Sequence, residues 1–180
     1  TDEEVATGDF NPKMYNSFTD GTKAAIEMAA VANATGLDCP DDGLAFYPTG
    51  LHDLTNVFKP IANGGRLPKK GLLDIAASRE PDGREVYNNI CYGMFVTFKA
   101  PNEYSRDCFR QYGLLTDSSG WYASMWRPFH LIGLETNTSI MLAVLRNEPT
   151  GASCLWKADA VATSKRDLAA GEILDGEGGF

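Results

Sequence analysis

Between residues 37 and 70 eight positions are proline or glycine: Pro40, Gly43, Pro48, Gly50, Pro60, Gly64, Gly65 and Pro68. Proline removes a backbone donor and glycine carries the largest conformational entropy, so no long helix or central strand survives such spacing. An irregular stretch of this length inside a compact domain is functional or wraps a neighbour. Regular structure must therefore be built on either side of it.

Upstream, Asn11-Pro12 reads as a helix start, with Asn as cap and Pro in the first turn. The residues that follow are rich in Ala, Met and Ile as far as Thr35, and Gly36 is suited to end the helix. Gly21 is the one weak point inside, where another backbone or a ligand would come close. Downstream, Gly71 to Arg79 and Glu85 to Lys99 read as a hairpin about the turn Pro81-Asp82-Gly83. Its second arm is aromatic and β-branched. Pro101-Asn102 opens a helix to about Tyr112, stopped by Gly113, and Trp121 to Trp126 reads as a strand. A second long helical pattern runs from Leu131 to Arg146, and short strands and turns follow from Asp159. The class is α+β, a mixed or antiparallel sheet with two long helices.

Charge excludes one function class. At a net charge of −8, with basic residues scattered, the chain offers no clustered surface for nucleic acid phosphates. No apolar run approaches the roughly 20 residues that cross a bilayer. The acidic start, Thr1-Asp2-Glu3-Glu4, is not a signal peptide. The four separated cysteines show no CxxC pair and fit free thiols in the cytoplasm. No GxGxxG follows a strand, and no P-loop, nucleophile elbow or HExxH is present.

Two constellations carry chemistry. On a continuous opening helix, at about 100° per residue, Asn16, Asp20, Lys23 and Glu27 fall within an arc of roughly 60°. The rest of that helix is largely apolar. The stripe is then either a solvated face with a Lys23–Glu27 pair, or a charged window on a cleft or substrate, because unpaired buried charge is costly. The second is Trp126-Arg127-Pro128-Phe129-His130, where proline marks a strand-to-helix junction. Arg127 and His130 at a helix entrance would receive an anion, and an imidazole exchanges protons near neutral pH. Lys59 and Arg66, in the glycine-rich loop, read as solvated surface charges.

Residues 14–23 (MYNSFTDGTK), 26–36 (IEMAAVANATG), 127–135 (RPFHLIGLE) and 146–152 (RNEPTGA) carry a resemblance, as does the tail 159–168 (DAVATSKRDL) through 171–179 (GEILDGEGG). Together they resemble the homoserine-dehydrogenase-like oxidoreductases with a C-terminal SAF domain, some of which are deoxyxylulose-phosphate reductoisomerases and others sugar-acid oxidoisomerases. The resemblance implies a central catalytic and dimerising domain over residues 1–151 and the start of a small all-β SAF-like (β-clip) domain over 152–180. It implies NADP or NAD bound mainly by a Rossmann domain absent from this chain, a homodimer, and a divalent metal in the reductoisomerase members. The substrate would be a small sugar phosphate or sugar acid.

Carried over by matching motif, Lys23 and His130 would contact substrate, Arg127 would hold its anionic end with Asn16 nearby, and Asp20 and Glu27 would orient Lys23 or bind a metal. Relatives favour Tyr-Arg-Pro-Tyr-His at the second motif. Here Trp126 and Phe129 take the tyrosine places, which excludes general-acid help from a phenol at both. The competing expectation is a non-catalytic SAF-type carbohydrate-binding or assembly module.

Overall fold

In a computed structural model the chain is described at residues 6–8, 11–174 and 176. It is α+β and divides into two units, one built from residues 1–39 and 153–180, the other from 40–152. Among the described residues no helix is long and apolar enough to cross a membrane.

In the first unit, α1 (Pro12–Thr19) starts where the Asn11 side chain accepts from the N–H groups of Lys13 and Met14 at 3.0 and 3.3 Å. It does not run on to Thr35. Gly21 takes a left-handed conformation at φ 84°, and α2 (Thr22–Thr35) begins after it. Asp20 stabilises the break, because its carboxylate accepts from the Thr22 N–H at 2.9 Å and from the Thr22 hydroxyl at 2.6 Å. A capping interaction of this kind competes with helix continuation, and glycine supplies the positive φ without strain. The single opening helix expected from composition is thus two helices.

At its far end α2 stops at Gly36, φ 79°, and holds the returning tail. The Asn33 side chain accepts from the N–H groups of Lys157 and Ala158 at 2.7 and 3.1 Å and donates to the Ala158 carbonyl at 3.0 Å. Lys157 pairs with Asp38 at 2.7 Å. Among the described tail residues no strand forms, contrary to the short strands expected there. Extended segments need a ladder partner to become strands, and Val161, Ile173 and Leu174 stay exposed without one.

The second unit is organised on a three-stranded antiparallel sheet in the order β3 (Met94–Lys99), β5 (Tyr122–Arg127), β4 (Leu115–Thr116). β1 (Tyr47–Pro48) and β2 (Ala76–Ala77) form a separate parallel pair. The irregular stretch is mostly turns, carrying, besides β1, a short α3 (Leu54–Val57) between two 3-10 turns, Leu51–Asp53 and Ile61–Asn63. Three of its apolar residues, Leu54, Phe58 and Leu67, make the core with Ile90, against Tyr47, Leu51, Val57 and Phe95. Phe58 anchors it, with its ring centroid 4.6 Å from that of Phe95.

The turn at Pro81-Asp82-Gly83 forms as expected, with Arg79 bridging Glu85 across it. Its arms do not become one long hairpin. Asn88 and Tyr92 hold positive φ, which interrupts the second arm until Met94. From there β3 pairs with β5 in the register Val96 to Met125 and Thr97 to Ser124. α4 (Glu103–Gln111) is capped by Asn102, whose side chain accepts from the Ser105 N–H at 2.9 Å. The last helix, α5 (Thr136–Arg146), starts five residues later than expected, because Gly133 turns the chain at φ 81°.

Candidate functional site

A cavity lined by polar side chains lies wholly in the second unit. It measures about 390 Å³ and is lined by Lys59, Asn63, Lys99, Asp117, Ser118, Ser119, Trp121 and Tyr122. Two tight turns build it. In the first, Leu67 N–H donates to the Lys59 carbonyl at 3.1 Å and Ile61 N–H to the Leu67 carbonyl at 2.8 Å, closing a loop around Gly64 and Gly65. The Lys59 backbone occupies the place where a Gly65 Cβ would stand. In the second, Gly120 at φ 73° lets its N–H reach the Asp117 carbonyl at 3.0 Å, and Asp117 N–H meets the Tyr122 carbonyl at 3.1 Å as the chain enters β5.

These turns bring Lys59 Nζ to 2.8 Å from Asp117 Oδ2, with both side chains more than nine-tenths buried. Expected from its loop position to be solvated, Lys59 is instead the floor of the cavity. Asp117 is fully engaged. It also accepts from the Ser119 hydroxyl at 2.9 and 3.0 Å and from the Tyr122 N–H at 3.3 Å. Burial pushes its carboxyl up, but the Lys59 ammonium, the Ser119 hydroxyl and the Tyr122 N–H outweigh it and hold the group below the usual carboxylate range. Burial, and secondarily the Asp117 charge, pushes the Tyr122 phenol up, so it stays a neutral donor, bonded to Asn63 Oδ1 at 2.9 Å. Behind this floor, the buried Thr55 and Ser124 hydroxyls bond at 2.9 Å, and Thr97 meets Ser124 at 2.8 Å, tying α3 to β5 and β3.

The residues singled out by sequence sit elsewhere. Asn16 and Asp20 are exposed, and the break at Gly21 removes them from the helical line that carries Lys23 and Glu27. The continuous four-residue stripe therefore does not exist. Lys23 and Glu27 remain one turn apart on α2, both half-buried, while Ile26 beside them is exposed. The Lys23 ammonium stands 5.2 Å from the centre of the Phe18 ring, a cation–π distance.

Arg127, at the end of β5, does not face an empty helix entrance. It pairs with Glu135 and lies 4.9 Å over the Phe129 ring. The second oxygen of Glu135 accepts the Leu131 N–H at 2.6 Å, and that bond, with the Arg127 charge, holds its carboxyl below the usual range. The junction thus carries its own anion, because the late start of α5 places Glu135 where an external anion was expected. His130 is half-buried, and its backbone N–H donates to the Tyr92 carbonyl at 2.7 Å. Arg66 is exposed as expected, 6.0 Å from the Tyr47 ring.

Among the described residues no three His, Cys, Asp or Glu side chains converge as a metal's ligand set. Asp20, proposed as a ligand, is occupied by Thr22.

No curated protein matches the chain. Residues 1–136, a span that includes the Lys59–Asp117 cavity and every site residue named from sequence, match the family model described as oxidoreductase DRL, catalytic domain. With well over half its length matched, the chain belongs to the family of oxidoreductase DRL catalytic domains.

Proposed function

We propose that this domain carries out the substrate half of a nicotinamide-dependent oxidation or reduction of a small sugar phosphate or sugar acid, in a deoxyxylulose-phosphate reductoisomerase-like manner. One observation carries the reading: the match to an oxidoreductase catalytic domain spans Asn16, Asp20, Lys23, Glu27, Arg127 and His130 together. The residues contain no dinucleotide fingerprint, so NADP or NAD is assigned to a domain other than this one. That nucleotide supplies or accepts the hydride.

The chain's own residues then have proton and positioning work. In the reducing direction a proton must reach the oxygen of the carbon that gains hydride, and His130 is the group suited to deliver it. The Lys23 ammonium polarises that oxygen, with Glu27 one helical turn away to orient it and Asn16 contacting substrate hydroxyls. Arg127 holds the anionic end by exchanging Glu135 for the substrate, so binding and release of that internal carboxylate become coupled. Asp20 acts at one remove, by fixing the start of α2 through Thr22. A cytoplasmic homodimer completes the reading.

The test is a panel of phosphorylated ketoses and sugar acids given to the full-length protein with NADPH or NADP, followed by nicotinamide absorbance. Turnover of one class supports the reading. Tight nucleotide binding with no turnover of either class contradicts the substrate assignment.

A further inference from the structure

We propose that the cavity above the Lys59–Asp117 pair is a binding site for a small oxyanion, a phosphate or a carboxylate, on a body that lies against Trp121. Every acceptor position of Asp117 facing its neighbours is engaged, by Lys59, Ser119 and the Tyr122 N–H. An ammonium has three N–H donors, and the described residues offer that of Lys59 only Asp117 as acceptor.

The amide of Asn63 points the same way. Its oxygen takes the Tyr122 hydroxyl at 2.9 Å, which leaves its NH₂ as donor with no acceptor among the described residues. At the rim, Lys99 stands 5.9 Å from the Trp121 ring and 6.0 Å from the Tyr122 ring, with no carboxylate paired to it among the described residues.

The site is therefore rich in donors, its carboxylate and its amide oxygen are engaged, and its charge is two ammoniums against one carboxylate. A buried ammonium with unused donors is stabilised by an acceptor-rich group. A cationic ligand would leave those donors unmet, and a neutral one would leave the second ammonium's charge without a counter-charge. The buried floor excludes bulk water from one side of the ligand, while the exposed Lys99, Asn63, Ser118 and Ser119 admit it from the other. This site shares no residue with the proposed reacting set and stands whether or not that set is right.

Backbone amide NMR of the full-length protein, titrated with inorganic phosphate in one arm and acetate in the other, tests it. Saturable shifts at Asn63, Ser118, Ser119 and Trp121 are expected, and the arm that saturates first names the head group. Lys99→Gln should weaken binding about tenfold, the loss of one charge-assisted contact. Asn63→Asp keeps an acceptor for Tyr122 but puts a carboxylate into the site, and should abolish binding. These two rim variants spare the buried pair and should fold. Absence of saturable shifts in both arms, or unchanged binding in both variants, overturns the proposal.

Discussion

Lys59 and Asp117 are 58 residues apart in sequence and meet at 2.8 Å with both side chains almost fully withdrawn from solvent. A buried pair of this kind is weak evidence of net stabilisation, but removing one partner strands the other's charge. Lys59→Met should destabilise the protein by about 3–5 kcal/mol in urea unfolding. The double variant Lys59→Met/Asp117→Leu should recover most of that loss, which a purely steric role for Lys59 would not allow.

The same pair sets an acid limit. The Asp117 carboxyl is held below its ordinary value, so its contribution is fully present above the unfolded value near 3.8. It is lost as pH falls through the lower folded value. Stability measured from neutral pH downward should drop across that acid window, and Asp117→Asn, though less stable throughout, should show a shallower fall there.

Two adjacent glycines should respond differently to alanine. Gly64 has φ 83° with nothing within 4 Å of an added Cβ, so Gly64→Ala costs only backbone strain, about 1–2 kcal/mol. At Gly65 the added carbon meets the Lys59 backbone, which cannot move without disturbing the ion pair. Gly65→Ala should therefore be the more damaging of the two in thermal unfolding, and should also weaken phosphate binding at the cavity.

Asn33 fastens the tail to α2 through three hydrogen bonds to Lys157 and Ala158. Asn33→Ala should raise amide exchange at residues 157–158 well above that of α2, with a stability loss of about 1–3 kcal/mol. Equal protection in the variant and the parent would show that the tail is held by something else.

Local signals explain which parts of the fold are readable from sequence. Asn11 before Pro12, Asn102 before Glu103, and glycine at 36 and 113 act through their immediate neighbours, and each marks the boundary it should. The break at Gly21 is less legible, because it depends on Asp20 reaching Thr22 rather than on glycine alone. Strand partners are not legible at all. β3 answers to β5, which follows it by more than twenty residues, and not to the arm across its own turn. The cavity follows the same logic: Lys59 beside Pro60 looks like any loop lysine until the turn at Asp117 is brought against it by tertiary packing. The Arg-Pro-Phe-His junction is legible as a motif, whereas its internal partner Glu135 depends on where α5 begins.

Lys23 and His130 are the residues proposed to act on the substrate. The direct measurement is turnover of full-length Lys23→Ala and His130→Ala beside their unfolding midpoints, with the sugar phosphate or sugar acid that the parent protein turns over. Each variant should lose about 10²-fold or more in kcat while its midpoint stays close to the parent's. Parent-like turnover in both variants would contradict it.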